Sequence, residues 1–299
     1  MSARTLIDPA QLASLGSTRL RARSVVEGII NGMHRNPHRG SSVEFAEYKE
    51  YRPGDDVRHI DWRAWGRLDR YYVKQFEDET NVRAFMLVDA SGSMNFGSRP
   101  EWTKYQHACT MAASLSWLLL AQGDAPGLLV FDERAGSWLP PSTRRTQLDD
   151  LCAVLDQNQA VGGTSIELAM SRIAESVRAR SMVVLFSDLL DFHEEVFSVA
   201  RILRRRGMEV VVFHVMDPAE LELPYEGLSL FEGMENDGNL LVDPDDIRAA
   251  YQQAFAAHAD QMRELCRAAD MEYFRVRTDE PLAGPLRQLV EGRTRGGRR

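Results

Sequence analysis

From Ala84 to Val215 the chain repeats one unit: a short, nearly continuous apolar run, then a longer segment whose apolar residues recur at helical spacing. The runs Ala84–Val88, Gly127–Phe131, Met182–Phe186 and Val210–Val215 lack the polar alternation of a half-exposed strand, as expected of strands covered on both faces. Between them Thr103–Leu120, Thr146–Leu155, Ser165–Val177 and Glu194–Arg206 read as helices. A strand that returns parallel to its predecessor needs a crossover of about this length. The alternation therefore predicts βαβ units and an α/β fold, a doubly wound, mostly parallel sheet of Rossmann type.

The flanks depart from that rhythm. Glu226–Val242, with Gly227, Gly233 and Asn236-Asp237-Gly238-Asn239, reads as an inserted hairpin. Asp243-Pro244 then caps a long helix to about Ala269, Tyr273–Val276 is a last strand and Pro281–Val290 a last helix. At the other end, Asp8-Pro9 is a helix start, and Leu12, Leu15, Val25, Val26, Ile29 and Ile30 supply an apolar face to two short helices. Phe45, Tyr48, Tyr51, Trp62, Trp65, Tyr71, Tyr72 and Val73 favour strands and are interrupted by a turn at Pro53-Gly54-Asp55. The expected organisation is a smaller N-terminal α+β accessory module over 1–80, a main domain over 81–292 with a hairpin at about 226–242, and a flexible basic tail over 293–299, where four arginines fall.

Two of the apolar runs end on carboxylates. Phe85–Val88 leads into Asp89-Ala90-Ser91-Gly92-Ser93, and Met182–Phe186 into Ser187-Asp188. In an open parallel sheet the ligand crevice lies beyond the carboxyl ends of the strands, where the winding direction reverses, so the two aspartates are placed to face one another. Val161-Gly162-Gly163-Thr164-Ser165 adds a hydroxyl from a glycine-rich loop. Carboxylates and hydroxyls are hard oxygen donors of the kind that suit Mg²⁺ or Mn²⁺. Two carboxylates only just neutralise such an ion, which leaves it able to accept an aspartate or glutamate from a protein partner. The competing structural reading of Asp89-x-Ser91-x-Ser93 alone is a helix cap.

In order and in strand context, Asp89-x-Ser91-x-Ser93, Thr164 and Asp188 resemble the metal-ion-dependent adhesion site of von Willebrand factor A-like domains, and the alternation from about 81 to 290 is similar to that fold. The resemblance implies that the hydroxyls ligate the ion directly and the aspartates partly through water. Arg39–Tyr48 and Tyr51–Arg63 resemble the signature of the bacterial family called domain of unknown function 58. That resemblance extends over nearly the whole chain and implies an adaptor working with MoxR-type AAA+ ATPases, with such an ATPase or its client as the partner.

Composition narrows the alternatives. The formal net charge is -8 although the tail is basic, so the body would repel a polyanion, and nucleic acid is not expected as a partner. The longest apolar stretch, Met111–Ala121, is about half a bilayer span, and the first thirty residues do not read as a signal peptide; no membrane insertion and a cytoplasmic location are expected. Cys109, Cys152 and Cys266 lie far apart and read as buried thiols. The seven histidines, among them His34, His38, His59 and His107, show no ligand spacing and read as surface or hydrogen-bonded core residues.

Asp55, Asp56, Arg58, Asp61 and Arg63 are expected to form an internal ion-pair network in preference to a docking surface. No P-loop occurs. A phosphatase with Asp89 as nucleophile would want a second acid where Ser91 stands. A subtilisin-like set of Asp89, His107 and Ser165 has the right chain order but no matching histidine turn. A scaffold with no ion at all is the remaining reading. The chain is therefore expected to be a non-enzymatic, metal-dependent interaction module.

Overall fold

A computed structural model describes residues 7–34, 48–50, 72–74, 82–133, 136–176, 181–235 and 238–296. Helices α1 (Pro9–Ala13) and α2 (Thr18–His34) come first, and strands β1 (Tyr48–Glu50) and β2 (Tyr72–Lys74) form a small antiparallel pair. The alternating region follows as β3 (Arg83–Asp89), α3 (Lys104–Ala121), β4 (Ala125–Phe131), β5 (Ser137–Leu139), α4 (Gln147–Gln157), α5 (Ile166–Ser176), β6 (Ser181–Ser187), α6 (Glu194–Arg205) and β7 (Glu209–Met216). It closes with α7 (Pro218–Glu222), the hairpin β8 (Ser229–Glu232) and β9 (Asn239–Val242), α8 (Pro244–Ala268), β10 (Glu272–Arg277) and α9 (Ala283–Gly296).

The main sheet has six strands in the order β10-β7-β6-β3-β4-β5, parallel except for the edge strand β5. Alternate residues on each strand feed opposite cores. Met86 and Val88 of β3 join Met182, Val184 and Phe186 of β6 under α2, α3, α4 and α9, while Phe85, Leu87, Val183 and Leu185 pack under α5, α6 and α8. Both sides are buried, which is why these strands read as unbroken apolar runs. Each such side chain contributes on the order of 1.5–3 kcal/mol. Strand β3 leads outward to β4 on one side and β6 leads outward to β7 and β10 on the other, so the winding reverses between β3 and β6. Asp89 ends β3, and Asp188 follows β6 directly.

Three expectations need revision. The chain divides into one compact unit of 1–33 with 82–299 and a second of 34–81, so the first helices do not belong with the strands that follow them. The reason is their apolar face: Leu12, Val25, Val26 and Ile29 are buried in the same core as Met86 and Val88. Second, the basic tail does not begin at 293, because α9 runs on to Gly296 and Arg293 approaches Asp124 at 3.9 Å and Glu209 at 3.4 Å. Third, His107 is buried without a hydrogen-bond partner on either ring nitrogen among the described residues, packed edge-on against Trp102. Arg39, Arg52, Asp55, Asp56, Arg58, Asp61 and Arg63, and with them the expected ion-pair network, lie outside the described residues. Among the described residues no helix is long and apolar enough to cross a membrane.

Candidate functional site

Three loops at the carboxyl end of the sheet are stitched together by backbone hydrogen bonds. Gly92 N–H donates to the Gly162 carbonyl at 2.7 Å, Val161 N–H to Ala90 at 2.9 Å and Ala90 N–H to Phe131 at 2.8 Å. This lacing holds the Asp89–Ser93 loop against the Val161–Thr164 loop. Asp89 is fully buried at its centre. Its Oδ1 accepts from Ser91 N–H at 3.0 Å and from the Thr164 hydroxyl at 3.1 Å, and its Oδ2 accepts from the Ser187 hydroxyl at 2.6 Å. The Ser91 and Ser93 hydroxyls lie 3.1 Å apart, and Ser93 is near enough to Asp188 to favour its charged form.

Asp89, Ser91, Ser93, Thr164 and Asp188 are thus drawn into one connected cluster of oxygen donors. The winding reversal accounts for it: β3 and β6 are neighbours although almost a hundred residues separate their ends. Among the described residues no group of three or more His, Cys, Asp or Glu side chains is arranged as a metal site, so any cation here would depend on the hydroxyls beside the two carboxylates.

The two carboxylates are unequally compensated. Burial raises the Asp89 carboxyl to about 7, with repulsion from Asp188 adding to it, and its hydrogen bonds only partly offset this. Burial pushes Asp188 up as well, but the Lys104 ammonium outweighs it by charge and by a 2.8 Å hydrogen bond, and holds this carboxyl below the usual range. Lys104 is itself fully buried and bridges Asp188 to Glu220 of α7. A capping box of Thr103 and Gln106 fixes the start of α3 and so the place of Lys104. The one ammonium serves Asp188 and Glu220, and among the described residues no Lys or Arg pairs with Asp89, whose raised carboxyl is only partly ionised near neutral pH. The donor set fits a divalent cation, which would favour the ionised form of Asp89.

Four participants are not foreseen by sequence reasoning: Ser187, Lys104, Glu220 and Glu235. Ser187 carries the only local signal, since it stands beside Asp188 at a strand end. Glu235 lies at the tip of the β8–β9 hairpin, where its Oε1 accepts from Ser93 N–H at 3.1 Å. The rim around the cluster is apolar at three points, Val161, Leu190 and Met234, each exposed and each next to a loop that shapes the site. The rival protease-like set is not assembled, because the Ser165 hydroxyl accepts from Leu168 N–H as a helix cap and His107 has no hydrogen-bond partner among the described residues.

Residues 47–261 match the model of the family described as "Protein of unknown function DUF58", and the chain belongs to that family. It is 28% identical over 294 residues to uncharacterized proteins of Mycobacterium bovis and Mycobacterium tuberculosis, covering 97% of this chain and 92% of theirs. Among solved structures it is similar to the conserved hypothetical protein BatB of Bacteroides thetaiotaomicron, with a TM-score of 0.50 and 16% identity over 72% of this chain and 99% of that one. It is also similar to a von Willebrand factor type A protein of Catenulispora acidiphila, with a TM-score of 0.38 and 13% identity over 70% of this chain and 42% of that one. The strand order and doubly covered sheet are those of a doubly wound, mostly parallel α/β fold.

Proposed function

We propose that this DUF58-family protein is a non-enzymatic, metal-dependent protein-interaction module. Asp89, Ser91, Ser93, Thr164 and Asp188 would hold Mg²⁺, or Mn²⁺, and a partner's aspartate or glutamate would complete the coordination. Such an ion supplies an electrophilic centre with an open position, a strong anchor for a carboxylate that loses its water on docking. The single observation that carries the reading is the convergence of two strand-end carboxylates and three hydroxyls at the winding reversal. The exposed apolar residues Val161, Leu190 and Met234 around the cluster suit protein docking, since interfaces set apolar anchors beside a desolvated polar centre.

The proposed partner is a MoxR-type AAA+ ATPase or its client, in chaperone-like assembly or maturation of a complex. That choice rests on the family resemblance carried by Arg39–Tyr48 and Tyr51–Arg63. The phosphatase reading is less well supported, because a nucleophile must meet its substrate and Asp89 is fully buried with both oxygens engaged.

Thermal melting with and without Mg²⁺ or Mn²⁺ tests the reading. A ligand that binds only the folded state, at a hundredfold excess over its Kd, adds about 2.7 kcal/mol. The wild type should gain stability on this scale, and Asp89→Ala and Thr164→Ala should fold yet gain none. Melting that ignores saturating metal would remove the basis of the proposal. Capture of the AAA+ partner should likewise be lost in EDTA.

A further inference from the structure

We infer that Glu235 is a built-in carboxylate for this same site, the chain's own stand-in for the partner's acid. The inference rests on the metal-dependent reading above and names a residue which that reading does not include.

The hairpin is shaped to deliver this side chain. Strands β8 and β9 pair from Ser229 with Val242 to Glu232 with Asn239, and Gly233 N–H closes the end on the Gly238 carbonyl at 2.8 Å. Met234 and Glu235 follow directly and lie on the Asp89–Ser93 loop. The contact is close enough to exclude a side chain: a Cβ on Gly92 would stand 2.2 Å from the Met234 carbonyl oxygen and 3.2 Å from that of Gly162. Glycine at 92 therefore lets the tip rest on the loop that carries Ser91 and Ser93.

On that seat Glu235 Oε1 takes the Ser93 N–H at 3.1 Å, next to the hydroxyl that lies 3.1 Å from that of Ser91. A carboxylate has a second oxygen, which remains for a further donor or a cation. Among the described residues no Lys or Arg pairs with Glu235. The one ammonium in the cluster, Lys104, is spent on Asp188 and Glu220. The fold thus brings an acidic side chain to a cluster of two carboxylates and three hydroxyls, and among the described residues no Lys or Arg pairs with it, an arrangement that a bound divalent ion would balance. It is also displaceable. A two-stranded hairpin is marginally stable alone, and Leu228, Leu230 and Leu241 on this one are exposed, so a partner that covers those leucines could draw the tip away and insert its own carboxylate.

The test uses the full chain and Mn²⁺ alone as probe, reading affinity by electron paramagnetic resonance titration and bound water by proton relaxation. Glu235→Gln keeps an acceptor for Ser93 N–H but removes the charge. It should weaken Mn²⁺ binding by about tenfold and raise the relaxation per bound ion, as water takes the vacated position. Glu235→Ala should do the same. If both variants match the wild type in affinity and in hydration while Asp89→Ala abolishes binding, the built-in ligand is refuted and the site stands. If Asp89→Ala binds Mn²⁺ as the wild type does, the preceding reading fails instead.

Discussion

The two sides of the site are built in opposite ways. On the sheet side Asp89, Ser91, Lys104 and Asp188 are buried and tied to β3, β6, α3 and α7 by hydrogen bonds and ion pairs. On the hairpin side two short strands expose Leu230 and Leu241, a directly paired couple, and reach the site through one backbone contact and one carboxylate. The comparison separates a scaffold that sets where charge sits from an arm that adds one carboxylate beside it. Low local stability is the usual property of elements that move on binding.

The largest expected effect breaks the rigid side. Lys104→Met removes the only ammonium shared by Asp188 and Glu220 and leaves both carboxylates without their cation, which should cost about 3–5 kcal/mol in urea denaturation. A loss below about 1 kcal/mol would mean that the pair is hydrated and the scaffold is softer than its burial indicates.

Acid should act on the same side. Burial lowers His107 to about 3 from an ordinary 6.5, and Asp279 and Asp217 only partly oppose it. The folded state therefore holds fewer protons than the unfolded chain at any pH between these values. Stability is complete above about 6.5 and is lost as pH falls towards 3, at about 1.4 kcal/mol per unit from this group. His107→Leu should flatten the slope of unfolding free energy between those limits by that amount. An unchanged slope would show that the ring reaches water or a partner.

Gly92→Ala strikes the seam between the two sides. It should lower stability by about 1–3 kcal/mol and speed cleavage within the hairpin in limited proteolysis. Wild-type behaviour in both measurements would mean that Met234 does not press on the ligand loop. The smallest effect belongs to the arm alone: Leu230→Ser with Leu241→Ser should move the denaturation midpoint by less than about 0.5 kcal/mol. A larger loss would place those leucines in a packed surface and erase the contrast.

Much of the rigid side was legible in the chain and little of the arm's role was. Phe85–Val88 and Met182–Phe186 read as doubly covered strands because both faces of each had to be apolar, and the aspartate after each marked the crevice end. The hairpin was legible as turn chemistry around Asn236–Asn239, but nothing local shows where its tip lands. Lys104 carries no local mark of its role, being one lysine in the first turn of α3. The sequence places α1 and α2 with their sequence neighbours, because a helix's apolar stripe does not say which core will cover it.

By itself the sequence determined the period of burial, the class of sheet and five oxygen donors of a single chemistry, since these follow from side-chain type and spacing along a strand or loop. Tertiary structure decided that β3 lies beside β6, that Lys104 pairs with Asp188 while burial raises the Asp89 carboxyl, and that Met234 closes on Gly92. Contacts of that kind join residues from 80 to over 140 positions apart, as the separations of 84 for Lys104 with Asp188 and 142 for Ser93 with Glu235 illustrate. Their energy comes from desolvation and close approach, which exist only once the layers have packed.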